Sequence, residues 1–112
     1  QPRRLCDYVP RLVWERGDIT AVCKPWGLRA HRPRDAQGRP YHVWPEERTV
    51  GDWFHSAYPG ERPHFCNRLD FATSGLMLIA RTQAASRYVH GLFAGRRVTK
   101  SYLALVLGSP PA

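Results

Sequence analysis

Cys66-Asn67-Arg68-Leu69-Asp70-Phe71-Ala72-Thr73-Ser74-Gly75 runs directly into Leu76-Met77-Leu78-Ile79-Ala80. The second part is a continuous apolar run of strand length, the pattern of a central strand covered on both faces. The first part is polar and turn-forming. Thr73, Ser74 and Gly75 suit a tight turn that presents backbone N–H groups. Such a loop would hold the Asp70 carboxylate at the mouth of a sheet, with Arg68 as the expected partner of its charge. The same residues also spell an Asx-type turn with a surface salt bridge, which requires no function.

Working outward, Leu12 to Arg16 and Ile19 to Cys23 read as two short strands joined at Gly17-Asp18. Lys24-Pro25-Trp26-Gly27 ends the second, because proline cannot continue a central ladder. From Arg29 to Arg48 the chain is rich in Arg, Pro and Gly without a sustained period, which predicts a long, mobile surface loop. Thr49 then offers an N-cap, with Asp52 as the reciprocal acid of a capping box. Val50, Trp53, Phe54 and Ala57 recur at helical spacing, so 50–58 is expected to be a short amphipathic helix ended by Pro59-Gly60. Beyond the apolar run, Thr82 caps a second predicted helix with Ala85, Tyr88, Val89, Leu92 and Phe93 on one side and Gly95 as its stop. Val98 to Leu107 alternates with a period of two, placing Lys100, Tyr102 and Ala104 on one face of a final strand. The predicted order β-β-loop-α-loop-β-α-β is an α+β plan, with strands gathered into one sheet from distant segments.

The length of 112 residues fits one domain, and apolar residues at 43% supply one modest core. No run is long enough for a transmembrane helix, and no signal peptide is visible, so no membrane partner is expected and the placement read from sequence is intracellular, cytoplasm first, with nucleus or an organelle left open. The 17 Lys and Arg residues against 9 acids give a formal charge of +8, and only Lys24 and Lys100 are lysines. Arginine makes bidentate phosphate contacts and stacks on bases, so this balance suggests nucleic acid. A codon bias that puts Arg where Lys would serve gives the same count. Cys6, Cys23 and Cys66 are isolated and the five histidines follow no ligand spacing, so no metal site is expected and the thiols are read as reduced and mostly buried.

Asn67 to Leu76 resembles the HRLDxxTSGL signature of the RluA-type pseudouridine synthases. Leu12 to His31, containing Lys24-Pro25-Trp26-Gly27-Leu28, is similar to that family's opening hairpin and its NKPxGL turn. Arg97 to Gly108 is similar to its KxYxAxVxG strand, and Cys66 to Gly75 with Arg96 to Lys100 resembles the animal proteins of this kind. The three motifs occur in the family's order and cover about 12–108, so residues 1–112 are read as a partial catalytic domain with a mixed, mainly antiparallel sheet flanked by short helices.

The resemblance implies isomerisation of uridine to pseudouridine in RNA (rRNA, tRNA or another structured RNA). The N1–C1′ bond breaks, the uracil turns, and a C5–C1′ bond forms, without any cofactor. It places the catalytic Asp at Asp70, as nucleophile or proton-transfer group. The active-site Tyr falls on Tyr102, which would stack on the uracil. Arg68 and Lys100 are candidates for RNA backbone contacts, with Thr73 and Ser74 lining the substrate side of the turn. On the residues alone, Tyr102 could equally be an ordinary strand aromatic, and Lys24 and Lys100 solvated surface cations. Asn67 stands where the family has His. Family members also continue for roughly another hundred residues, within ordinary domain size, and that half carries an Arg that pairs with the catalytic carboxylate. Two other functions remain open at this level: a catalytically inactive RNA-binding fragment, and a basic module that binds an acidic protein.

Overall fold

A computed structural model describes residues 9–101. Six elements follow in order: β1 (Arg11–Arg16), β2 (Ile19–Lys24), α1 (Val50–Ala57), β3 (His64–Phe65), β4 (Gly75–Ala80) and α2 (Gln83–Ala94). The four strands form one antiparallel sheet in the order β1-β2-β4-β3. The hairpin, both helices and the apolar strand lie where the sequence puts them. The two-residue strand β3 was not foreseen. The final predicted strand falls mainly on 102–107, outside the described residues, and its opening residues, Val98–Ser101, are irregular.

Strand β4 lies between β2 and β3, and its alternation divides the core. Met77 and Ile79 pack with Val22, Leu28, Val50 and Phe54 in one cluster. Leu78 packs on the other face, against the cluster of Cys66, Ala80 and Val89 that includes Ala85 and Phe93 of α2. Coverage on both faces holds except at Leu76, which is 53% exposed. Helix α1 is too short to persist alone. Its Thr49–Asp52 capping box and the complete burial of Val50 and Phe54 hold it in place, each buried side chain contributing about 1.5–3 kcal/mol. Burial also raises the pKa of the Cys66 thiol, which keeps it an inert core group as expected. Cys23 is likewise a free thiol, and Cys6 lies outside the described residues.

The 29–48 segment is a loop, but it is tied down at several points. Arg29 pairs with Glu47, whose side chain is fully buried and also accepts from the Val43 N–H at 2.9 Å. Arg32 makes a two-point contact with Asp52 at 2.7 Å. The Asp35 side chain accepts the N–H groups of Gln37 and Arg39, closing the turn at 35–39.

Helix α2 differs from its expected form in two ways. Tyr88 points outward at 63% exposure. Gly95, the expected stop, is the C-cap with a right-handed φ of −81°, and the left-handed position is taken by Arg96 at φ 56°. The Arg96 N–H bonds to the Phe93 carbonyl at 3.1 Å and the Arg97 N–H to the Leu92 carbonyl at 2.9 Å, the pairing of a Schellman motif. Left-handed backbone costs a residue with a Cβ about 1–2 kcal/mol. A cation at a helix C-terminus recovers only about 0.3–1 kcal/mol.

Candidate active site

The antiparallel register pairs Lys24 with Gly75. The turn after β2 and the loop before β4 therefore emerge at the same end of the sheet. Lys24 joins them. It is 0% exposed, and its Nζ donates to the carbonyls of Leu28 at 2.7 Å, Pro25 at 3.0 Å and Phe71 at 3.3 Å. The Gly27 N–H donates to the same Phe71 carbonyl at 2.7 Å, and the left-handed φ of 77° at Gly27 lets the turn close that far. A compact ammonium with three donors suits three converging carbonyls better than a flat guanidinium would. This is a physical reason for one of only two lysines in an arginine-rich chain. Burial pushes the Lys24 ammonium below the ordinary lysine pKa, while the charge of Asp70 opposes that shift.

Phe71, thus fixed by its carbonyl, is also held by its ring. The Arg29 guanidinium lies 4.8 Å from its centroid, and Trp44 meets it edge-on at 6.2 Å. The Thr73 N–H donates to the Asp70 carbonyl at 3.0 Å and closes the turn. Asp70 is therefore an exposed carboxylate on an anchored loop, and its charge favours the protonated form of the buried Lys24. The expected pairing with Arg68 is corrected: Arg68 is exposed and, among the described residues, forms no ion pair. Its side chain is left available to an external anion.

Asn67 does not simply stand in for a histidine. Its Oδ1 accepts from the Leu78 N–H at 2.7 Å and its Nδ2 donates to the Leu76 carbonyl at 3.1 Å. The carboxamide thus continues the β3–β4 pairing after the Cys66 N–H bonds to the Leu78 carbonyl. A donor and an acceptor side by side make this possible, whereas the two imidazole nitrogens point apart.

A cleft of about 230 Å³ opens next to this edge, lined by Asn67, Leu69, Ser74, Gly75, Leu76, Leu78, Phe93 and 98–101. It gathers Ser74 and Lys100 of the expected site residues, and Lys100 Nζ lies 4.9 Å from the Phe93 ring centroid. Asp70, Arg68 and Thr73 are not part of its lining, and Tyr102 lies outside the described residues. Among the described residues, no three His, Cys, Asp or Glu side chains cluster as a metal site would require, and no helix is long and apolar enough to cross a membrane. Lys24, whose side chain the sequence allowed to be a surface cation, builds the site from within, and Asn67, noted at the family's His position, proves to be a structural group. A buried lysine has no periodic signature; its cues were the scarcity of lysine and its place in the stretch that resembles the NKPxGL turn.

The family model for RNA pseudouridylate synthase matches residues 18–112. The human RNA pseudouridylate synthase domain-containing protein 1 is 50% identical over 106 residues, covering 87% of this chain and 30% of that protein. A mitochondrial pseudouridylate synthase of Danio rerio is 26% identical over 98 residues, covering 88% of this chain and 26% of that one. Among solved structures, human RNA pseudouridylate synthase domain containing 1 superposes with a TM-score of 0.60 at 25% identity, over 87% of this chain and 31% of the other. The chain thus spans about a third or less of the relatives it matches. By the family match, the ordered motifs and the shared fold, the chain belongs to the RNA pseudouridylate synthase family.

Proposed function

We propose that this chain carries the catalytic carboxylate of an RNA uridine-to-pseudouridine isomerase, and that Asp70 is that carboxylate. The observation that supports this best is the anchoring of the Asp70 loop. A buried lysine, a turn glycine and two ring contacts hold Phe71, while its neighbour Asp70 faces solvent. A structural loop gains little from such anchoring around an exposed acid. A catalytic one gains placement, because a group that attacks or shuttles a proton must be held close to its productive position.

In this reading the N1–C1′ bond of the target uridine breaks and C5 bonds to C1′, with the C5 proton released to solvent and a proton taken up at N1. Asp70 supplies the nucleophile or moves the proton. Tyr102 stacks on the uracil. Arg68 and Lys100 contact the RNA backbone near a nucleotide drawn out of its stack, and Thr73 and Ser74 border it. All bonds are exchanged within one nucleotide, so no group donor or redox partner enters. The substrate is structured RNA, with rRNA and tRNA as the classes to test first.

The test is tritium release from RNA labelled at uridine C5, using the whole natural protein that contains this chain. Wild-type protein should release tritium, and Asp70→Ala should lower the rate by roughly 10³-fold or more. Release at the wild-type rate by Asp70→Ala would overturn the assignment. A wild type that binds RNA without releasing tritium would instead favour RNA binding without isomerisation.

A further inference from the structure

We propose that Arg96 and Arg97, together with Lys100, form a phosphate-docking ridge for the RNA strand flanking the target nucleotide. The proposal rests on the RNA-isomerase reading above and adds a location and residues to it. Three observations carry it. First, there is no Asp or Glu anywhere from Phe71 to the end of the chain. Arg87, Arg96, Arg97 and Lys100 form no ion pair among the described residues, and all four are exposed.

Second, the backbone places arginine where glycine would sit without strain. Arg96 occupies the left-handed position of the α2 cap at φ 56°, one residue after a glycine that does not use its freedom. Strain kept at one position is a reason to look for a role of its side chain. Compensation of the helix dipole is a poor candidate for that role. The last turn of α2 contains no basic residue, although one there would meet the dipole with no left-handed backbone. Past Arg87, the next arginines stand only after the cap, at Arg96 and Arg97.

Third, the ridge borders the cleft. The residues directly after Arg97, from Val98 to Ser101, line the cleft beside Asn67 and Ser74. An RNA strand with a nucleotide near Ser74 would have its neighbouring phosphates close to an exposed cationic edge that forms no ion pair among the described residues. Guanidinium groups suit those phosphates because they can donate two parallel hydrogen bonds.

The test uses the whole natural protein and a uridine-containing RNA hairpin, with affinity measured across a salt series. Arg96→Gly should keep or raise the melting temperature, since glycine relieves the left-handed position. It should also weaken RNA binding about three- to tenfold at low salt and reduce the slope of log K against log salt by about 0.7–0.9. An unchanged affinity and slope would overturn the ridge. Should Arg96→Gly lower the melting temperature, Arg97→Gln carries the same test, again with an unchanged slope counting against the ridge. Tritium release is scored separately. A wild type that releases tritium while both variants bind normally loses only the ridge. A wild type that binds through the ridge without releasing tritium loses only the isomerase reading.

Discussion

Two stretches of this molecule hold the same cations in opposite circumstances. Residues 29–52 contain Arg29, Arg32, Arg34, Arg39 and Arg48 against Asp35, Glu46, Glu47 and Asp52. Residues 71–101 contain Arg81, Arg87, Arg96, Arg97 and Lys100 and no acid. In the first stretch, Arg29, Arg32 and Arg39 are bound to acids of the same segment. In the second, among the described residues Arg81 alone is paired, with Glu15 and Glu61 from earlier in the chain. A formal charge of +8 therefore does not describe one uniform basic surface. Much of the arginine before Asp52 organises a loop that steadies Phe71, whereas Arg96 and Arg97 after α2 are exposed and form no ion pair among the described residues.

The largest stability effect should come from Lys24, a third and different case: a cation buried among carbonyls. Lys24→Ala removes a side-chain donor shared by three carbonyls and leaves a cavity. It should cost about 3–5 kcal/mol by urea denaturation. A loss below about 1 kcal/mol would mean that the turn and the Asp70 loop are held by other means.

A smaller effect is expected at Asp52, the acid that closes both the capping box and the Arg32 contact. Burial opposes ionisation there, yet the hydrogen bonds from Arg32 and Thr49 overcome it and hold the carboxyl below its ordinary value of 3.8. A depressed folded value means that the contribution is complete above 3.8 and is lost as pH falls through the lower folded value. Asp52→Asn should therefore cost about 1–2 kcal/mol at neutral pH and make stability less sensitive to acid. Melting temperatures followed from neutral to strongly acidic pH would show the two curves converging. Parallel curves would separate Asp52 from the acid response.

Much of this architecture was legible because it is local. Gly17-Asp18 between two apolar runs gives the hairpin, Thr49 and Asp52 give the first cap, and five apolar residues in succession give β4. Elements fixed by tertiary contact were not legible. His64–Phe65 is too short to carry a pattern and becomes a strand only by lying against Ile79 and Ala80. Tyr88 fits the apolar stripe of α2 by spacing, yet it is 63% exposed, and spacing alone does not say which stripe residues find a packing partner. For Lys24 the sequence left a surface cation open as an alternative, because burial by carbonyls from two separate loops leaves no trace in periodicity. The Asp70 loop itself was found through its likeness to a family motif. Its anchoring through Phe71 depends on Arg29 and Trp44, which nothing near Asp70 in the sequence announces.

The division between organising and available arginines is tested most directly by the salt slope of RNA binding in Arg32→Gln and Arg97→Gln, measured side by side in the whole natural protein. Arg97→Gln should reduce the slope by about 0.7–0.9, and Arg32→Gln should leave it unchanged. Equal slopes for the two variants, or a reduction confined to Arg32→Gln, would contradict it.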